Sequence, residues 1–361
     1  MDDNKNDTYQ QELWSELLDM DGNPLLAGFE DEEEKSKKAL TIRKTTEISK
    51  NFLGYYPSCF ITAALPLRNP HSRNFERNYN NVHLNIISGK NVPYGKYSRL
   101  LLTIFTTHAV VSNNTDGPLI IRYRSLGALL DDLQLPSSRG KNVKEQLENF
   151  SSASFVFEEK ISKMWKPTLD TELDIDNDKF DKNDELKVHM ISTGHISFIN
   201  NLRYLDMEDR KGEKATAAIE IVLNQEFVKF SKAHSVPINY TVYKAIDSVL
   251  GKDLYAWFVY RNNSLGEKPL FVPRDAMVEQ FMPVSEKKPT EEKKKDQARA
   301  NWQKIKEQIM IIKQNYYPEL NVKIDSQNNG IELRKSAKPI ESDDQRYMLI
   351  TVNDKKMGVE E

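Results

Sequence analysis

Basic and amide side chains share one side of a predicted helix over residues 296–315. Its apolar residues are spaced 4, 3, 4 and 3 positions apart, at Ala298, Trp302, Ile305, Ile309 and Ile312. This periodicity turns the apolar side towards a core and leaves Arg299, Gln303 and Lys304 on the outer side. In the DNA major groove, arginine pairs with guanine and glutamine with adenine. The pattern therefore predicts a helix that contacts base edges.

Three consecutive lysines stand just before this helix: Lys293, Lys294 and Lys295. Lysine ammonium groups bind DNA phosphates, and this binding weakens as the salt concentration rises. We therefore expect these lysines to contact the DNA backbone while the helix contacts bases. A solvated amphipathic helix without a ligand is the alternative that this pattern leaves open.

A second, weaker set of candidate DNA contacts lies earlier in the chain. A predicted helix there turns Val143, Leu147 and Phe150 inward. The start and the outer side of this helix carry the candidate residues Arg139, Lys141, Asn142 and Lys144. We expect this helix to contact mainly the DNA backbone.

The elements before the two basic helices follow one repeated pattern. Residues 97–130 comprise an apolar helix, Asn-Asn, Gly, Pro-Leu, a short β-rich stretch, Arg-Ser and a second helix. Residues 254–281 repeat this order, with Arg-Asp in place of Arg-Ser. Helix, strand, helix, basic helix and β-hairpin is the order of a winged helix, whose last helix enters the major groove. The predicted fold class is α+β with tandem winged-helix domains, each a helix-turn-helix with a β-wing.

Local signals predict several boundaries within this fold. Ser125 is a good N-cap for the helix that follows it, and residues 82–86 alternate like a half-buried strand. Gly251 has low helix propensity and is expected to separate two helices, over residues 241–250 and 252–263. A turn-containing stretch over residues 322–333 predicts a hairpin wing.

Charge is unevenly distributed along the 361 residues, although the net charge is only −3. Residues 1–38 contain 4 Lys/Arg and 12 Asp/Glu, residues 39–164 contain 16 and 9, and residues 285–338 contain 13 and 8. Two basic lobes can bind a polyanion despite an acidic arm, because affinity follows the local basic face. The predicted domains are a disordered acidic arm (1–38), a first winged-helix domain (39–166), an acidic linker and strand (167–199), a second, DNA-reading winged-helix domain (200–338) and a C-terminal tail (339–361).

Catalytic and metal-binding motifs are incomplete in the sequence. Residues 89–96 resemble a phosphate-binding loop, but its two glycines are one residue too far apart, and Tyr97 replaces the hydroxyl that would bind magnesium. The acidic stretch 174–185 has calcium-loop spacing, but Lys179 stands where glycine is needed. The six histidines lack paired metal spacing. We therefore predict a protein without enzymatic activity, cofactor or metal.

Cysteine content and hydrophobic patterning suggest a cellular location. The single cysteine, Cys59, excludes an intramolecular disulfide framework and fits a reducing compartment. The sequence has neither a run of 18 apolar residues nor a secretory leader pattern. We expect a cytoplasmic protein that does not bind membranes.

Three stretches of the chain resemble signature segments of plasmid-encoded RepA-type replication initiators. They are Phe60–Pro70 (FITAALPLRNP), Pro93–Leu102 (PYGKYSRLLL) and Asp253–Arg261 (DLYAWFVYR). They occur in the family's order, and the resemblance extends over about residues 52–335. The chain departs from the family at its acidic linker and in the low arginine content of the first basic helix.

The resemblance implies a theta-type initiator that binds double-stranded DNA at repeated plasmid origin sites (iterons). It further implies melting of an AT-rich segment, recruitment of the host initiator and replicative helicase, and a homodimer formed through the first domain. A winged-helix transcriptional regulator without a replication role is the alternative. A nucleotide-dependent enzyme working through residues 89–96 is a third hypothesis.

Overall fold

Helices and antiparallel strands alternate along the part of the chain that the structure describes. This computed structural model describes residues 53–79, 82–112, 118–165, 186–208, 214–283, 290–325, 327 and 329–339. The predicted acidic arm, the calcium-like stretch and almost all of the C-terminal tail lie outside these ranges. Among the described helices, none is long and apolar enough to cross a membrane.

The elements of the first half, residues 53–223, comprise four helices and eight strands within the described ranges. In chain order they are β1 (Leu53–Pro57), α1 (Ser58–Thr62), β2 (Asn74–Tyr79), β3 (Val82–Ser88), α2 (Gly95–Val111), β4 (Leu119–Tyr123), α3 (Leu126–Asp132), a 3-10 turn (Ser137–Arg139), α4 (Gly140–Ser151), β5 (Ala153–Trp165), β6 (Leu186–Ser197), β7 (Ile199–Glu208) and β8 (Lys214–Leu223).

The second half, residues 225–333, is richer in helix. Its described elements are α5 (Gln225–Ala233), β9 (Ser235–Asn239), α6 (Tyr240–Ala245), α7 (Val249–Ser264), β10 (Leu270–Pro273), α8 (Arg274–Phe281), α9 (Glu291–Ile311), a π-helical turn (Ile312–Tyr316), β11 (Val322–Asp325) and β12 (Gly330–Leu333).

Each half contains a three-stranded antiparallel sheet, and the two sheets have the same topology. Their strand orders are β4-β8-β7 and β10-β12-β11, so the last strand in the chain lies in the middle of each sheet. Leaving aside the inserted β5 and β6, each half follows the order helix, strand, helix, helix, strand, strand from its long apolar helix onwards. The repeated order of elements predicted from the sequence is confirmed.

Strands β5 and β6 form a long antiparallel hairpin between α4 and β7. The hairpin pairs from Ser154↔Ser197 to Trp165↔Leu186, and it joins β2 and β3 in a sheet of order β2-β3-β5-β6. Aromatic side chains fill the core beside this sheet, where the Phe155 and Phe198 rings stack with their centroids 4.0 Å apart. Both side chains are completely buried, so the inserted hairpin is part of the first half's core.

Most local boundaries agree with the sequence. Ser125 Oγ accepts a hydrogen bond from Ala128 N at 3.0 Å and caps α3 as predicted. The predicted hairpin wing is β11 and β12, which pair from Val322↔Leu333 to Asp325↔Gly330.

The predicted helix break at Gly251 is wrong. Helix α7 runs through this position and is capped instead by Ser248, whose Oγ accepts from Gly251 N at 3.1 Å. A Cβ at position 251 would lie 2.9 Å from Gln308 Oε1 on α9 and 2.9 Å from Ile246 Cγ2. Glycine is therefore present because neighbouring side chains approach closely, and this contact outweighs its low helix propensity.

The two halves are joined by a pair of strands. Strand β1, at the start of the first half, pairs antiparallel with β9 of the second half from Leu53↔Asn239 to Pro57↔Ser235. Backbone hydrogen bonds therefore cross between the halves, in addition to the side-chain contacts described below.

Candidate nucleic-acid interface

Helix α9 is fixed to the second half by its apolar side. Trp302 is 8% exposed, and Ile305 and Ile309 are completely buried, as the 4-3 spacing predicted. Asn301 Nδ2 donates to the carbonyl oxygen of Met282 at 2.7 Å, which ties α9 to the end of α8. Because the inner side of α9 has a defined orientation, the outer side has one too.

Helix α9 begins at Glu291, five residues before the predicted start. Thr290 is the N-cap, and its Oγ1 accepts from Lys293 N at 3.3 Å. The two glutamates of the first turn complement the helix dipole. The three lysines therefore lie inside the first turns of the helix: Lys293, Lys294 and Lys295.

The candidate base-contacting residues lie on the exposed side of α9, as predicted: Arg299, Gln303 and Lys304. The Arg299 side chain is 75% exposed, and its Nη1 lies 3.6 Å from Asp296 Oδ1. Gln303 Nε2 donates to Glu307 Oε1 at 3.4 Å. Exposed contacts of this length contribute little free energy, so these side chains can turn towards a ligand at small cost.

The lysines of the first turns differ in their contacts. Lys293 and Lys295 are exposed, while Lys294 Nζ lies 2.7 Å from Glu291 Oε1. The hydrogen bond from Lys294, together with its charge, lowers the pKa of the Glu291 carboxyl. An exposed i,i+3 pair of this kind is weak, so it does not prevent Lys294 from binding a phosphate.

The inner side of helix α4 is held by both apolar and polar contacts. Val143, Leu147 and Phe150 are completely buried, which confirms their predicted inward orientation. Gln146 Oε1 accepts from Tyr94 N at 3.0 Å and from Ser98 Oγ at 2.7 Å. These two bonds fasten α4 to the first turn of α2.

The outer side of α4 is only partly available for a ligand. Arg139, Lys141 and Asn142 are exposed. Lys144 was expected to face outward, but its Nζ lies 4.3 Å from the centroid of the Tyr204 ring and 3.4 Å from Asp206 Oδ2. Strand β7 therefore holds Lys144 through one aromatic and one acidic side chain.

The hairpin after α9 carries cations that the sequence analysis did not single out. Lys323 on β11 and Arg334 just after β12 are exposed, and Arg334 Nε donates to Glu332 Oε1 at 2.8 Å. The alternation of Val322, Lys323 and Ile324 was the signal that could have marked an outward lysine here. In a winged helix this hairpin is the wing.

The catalytic alternatives gain no support from the described residues. Lys96, the lysine of the phosphate-loop-like segment, lies with its Nζ 3.0 Å from Asp247 Oδ1. Desolvation raises the pKa of the half-buried Cys59 thiol, which disfavours the reactive thiolate. Within the described ranges, no group of three or more His, Cys, Asp or Glu side chains could hold a metal ion.

Comparison with known proteins gives distant structural likenesses. No family model and no curated protein matches the sequence. A crystal structure of RctB domains 2-3 has a TM-score of 0.43 at 11% identity, covering 81% of this chain and 99% of that chain. A selenomethionine derivative of domains 2 and 3 of RctB has a TM-score of 0.44 at 10% identity, covering 76% and 95%.

A third solved structure is the Pi initiator protein in complex with iteron DNA. It has a TM-score of 0.36 at 10% identity, covering 81% of this chain and 98% of that chain. At these scores and identities, the likenesses assign neither a family nor a function to this chain.

Proposed function

We propose that this protein is a sequence-specific, double-stranded-DNA-binding initiator of plasmid replication, and that each half is a winged helix. The observation that carries the proposal is the outer side of α9. Arg299, Gln303 and Lys304 are exposed there, while Trp302 fixes the opposite side inside the second half. This is the arrangement of a helix that enters a major groove.

The two basic helices have different roles in this proposal. Arg299 and Gln303 contact base edges, and the lysines of the first turns of α9 contact phosphates. On α4, Arg139, Lys141 and Asn142 contact the DNA backbone. Lys144 contributes only if it leaves Tyr204 and Asp206.

The experiment that tests DNA recognition is fluorescence anisotropy with the full chain. The probes are duplexes from the DNA next to its own gene and shuffled duplexes of the same composition, at several salt concentrations. We expect the specific duplex to bind at least about 1,000-fold more tightly than the shuffled one. Equal affinity for both, or binding to neither, contradicts the proposal.

Lys294→Ala provides a test of the phosphate contacts. We expect it to weaken all duplexes alike and to reduce the slope of log K against log salt by about one unit. Lys229→Ala is the matched control, because Lys229 also forms an exposed i,i+3 pair, with Glu226 at 3.1 Å. An equal loss in both variants would place the contact outside α9.

The initiator role rests on the resemblance of the three sequence stretches to RepA-type proteins. In this proposal the protein acts in the cytoplasm without enzymatic activity, binds iterons, recruits the host initiator and replicative helicase, and can form a homodimer through its first domain. Footprinting of the adjacent DNA is expected to show protected direct repeats. Maintenance of a plasmid that depends on this protein and its origin is the decisive measurement.

The second candidate is a winged-helix transcriptional regulator. The same exposed side of α9 favours it equally, since site recognition is all that repression requires. Repression of a reporter without plasmid maintenance would favour the regulator.

A further inference from the structure

The guanidinium group of Arg99 on α2 lies completely buried where the two halves meet. Nε donates to Asp253 Oδ1 at 2.6 Å, and Nη2 donates to Asp253 Oδ2 at 2.7 Å. Nη1 donates to the carbonyls of Pro66 at 3.2 Å and Gly95 at 2.9 Å, and Nη2 to that of Leu65 at 2.7 Å. All five N–H groups of the arginine are therefore used.

This pair connects equivalent elements of the two halves. Arg99 lies on α2 and Asp253 on α7, each the first helix of the repeated order. Their side chains are 0% and 4% exposed. A bidentate pair between a planar guanidinium and a carboxylate permits little rotation, so it restrains the angle between α2 and α7.

Each basic helix is attached to one side of this pair. Helix α4 is fastened to α2 by the two hydrogen bonds that Gln146 accepts from Tyr94 and Ser98. Helix α9 passes close to α7, where Gly251 leaves room for Gln308. A continuous set of contacts thus runs from α4 through Arg99 and Asp253 to α9.

Two smaller contacts flank the buried pair. Lys96 Nζ lies 3.0 Å from Asp247 Oδ1 at the surface, and Gln280 Nε2 on α8 donates to the carbonyl of Ile61 at 3.1 Å. Neither has the bidentate geometry of the Arg99 pair. These two contacts and the β1–β9 strand pair hold the halves together, while the Arg99 pair links the two helices to which α4 and α9 are attached.

We propose that Arg99 and Asp253 are positioning residues that fix the distance and angle between α4 and α9, and that they thereby allow both helices to contact one duplex at the same time. This rests on the proposed function, because it requires both helices to contact one duplex. The two side chains act through the helices they orient and do not touch DNA.

The variants must separate positioning from folding. Removing one partner leaves an uncompensated buried charge, whereas replacing both by apolar residues of similar size is often tolerated. We therefore use Arg99→Met with Asp253→Leu as a double variant. Arg99→Lys is the second variant, because it keeps the charge but cannot form the bidentate pair. The double variant and Arg99→Lys are called the junction variants. Ile86→Val, in the buried part of β3, controls for a general loss of stability.

The first measurement is the distance between the two basic helices in the absence of DNA. Spin labels are placed at Ser138→Cys, just before α4, and at Glu292→Cys on α9, both exposed, in a Cys59→Ser background. Double electron–electron resonance is expected to give one narrow distribution of distances between the two labels in the otherwise unchanged chain and in Ile86→Val. In both junction variants we expect this distance distribution to become broader.

The second measurement is binding to duplexes of two lengths. The short duplex holds only the segment that α9 contacts, and the long duplex extends over the backbone segment that α4 contacts, as located by footprinting. We expect the unaltered protein to bind the long duplex at least about 100-fold more tightly than the short one, since both helices engage it at once. The junction variants are expected to gain less than about 10-fold from the longer duplex, with unchanged affinity for the short one.

The outcomes separate this inference from the proposed function. A narrow distance in both junction variants, or a dependence on duplex length like that of the unaltered protein, overturns the positioning role while DNA binding stands. A footprint from α9 alone on one uninterrupted segment also overturns it. If the unaltered protein binds no duplex, the proposed function fails and the positioning claim fails with it.

Discussion

Helices α4 and α9 occupy equivalent places in the two halves, yet they offer different surfaces. Helix α4 has 12 residues and α9 has 21. Both acidic side chains of α4 are engaged: Glu148 accepts from Lys90 at 2.6 Å, and Glu145 from the Tyr94 hydroxyl at 2.8 Å. Lys144 is held by strand β7, whereas the Arg299 side chain on α9 is largely exposed.

The difference shows that a repeated topology does not repeat a surface. The long hairpin inserted after α4 brings β7 back beside that helix, with Tyr204 and Asp206 in reach of its lysine. No comparable insertion separates α9 from β11. We therefore expect base recognition to depend on α9, with α4 in a supporting role.

The largest expected effect is on the anchor of α9. Replacing Trp302 by alanine should destabilise the fold by about 3–5 kcal/mol, because the indole fills a buried site against α9's neighbours. Urea unfolding measures this change. Met310→Ala on the exposed side of the same helix is the control and should cost less than about 0.5 kcal/mol. Equal losses would mean that α9 is not oriented by its apolar side.

The next effect concerns Lys252, a completely buried lysine of the second half. Burial lowers the pKa of the Lys252 ammonium on α7 to about 7, while a lysine in an unfolded chain titrates near about 10.4. Between these pH values the unfolded state binds more protons, so the free energy of unfolding rises with pH. Below pH 7 both states are protonated, and the cost of the buried charge is complete.

Lys252→Met is the variant that checks this dependence. Its stability relative to the unaltered protein should be most favourable near pH 6 and should decline by on the order of 2–4 kcal/mol towards pH 10. Denaturant unfolding at several pH values measures the difference. A difference that does not vary with pH would show that Lys252 stays charged in the folded state.

Base recognition gives the most direct comparison of the two helices. Arg299→Ala should cost about 1–3 kcal/mol of specific binding and relax the preference at one base pair. Lys141→Ala on α4 should instead weaken specific and shuffled duplexes equally. Competition binding with single-base-substituted duplexes distinguishes the two. A larger loss of base preference for Lys141→Ala would reverse the roles of α4 and α9.

The smallest effect should come from releasing Lys144. Asp206→Asn removes the carboxylate near Lys144 Nζ, and the freed charge should tighten binding to all duplexes by about threefold, with a steeper salt dependence. Tyr204→Leu is the companion variant, since it removes the aromatic contact. Unchanged affinity in both variants would mean that Lys144 lies outside the DNA contact.

Periodicity was sufficient to predict the orientation of α9. The 4-3 spacing around Trp302 depends on residues within one helix, so it can be recognised without knowledge of the fold. Ser125 and the β11–β12 hairpin were also predicted correctly because caps and turns are local signals. The roles of α9 and of the β11–β12 hairpin in DNA recognition stay predictions.

Contacts between distant segments could not be predicted. Lys144 was expected to face solvent. Its partner Asp206 lies 62 residues further along the chain, so a pattern within one helix could not show the contact. Arg99 and Asp253 are 154 residues apart, and each alone looks like an ordinary polar helix residue. Gly251 was misinterpreted because its close neighbour Gln308 belongs to another helix.

The pairing of β5 with β6 has a practical consequence for labelling the protein. The strands remain in register up to Trp165 and Leu186, so the end of β5 and the start of β6 lie next to each other. Lengthening a connection between fixed ends costs little additional entropy. A fluorescent protein or affinity peptide inserted between Trp165 and Leu186 should therefore label the protein without displacing α4 or α9.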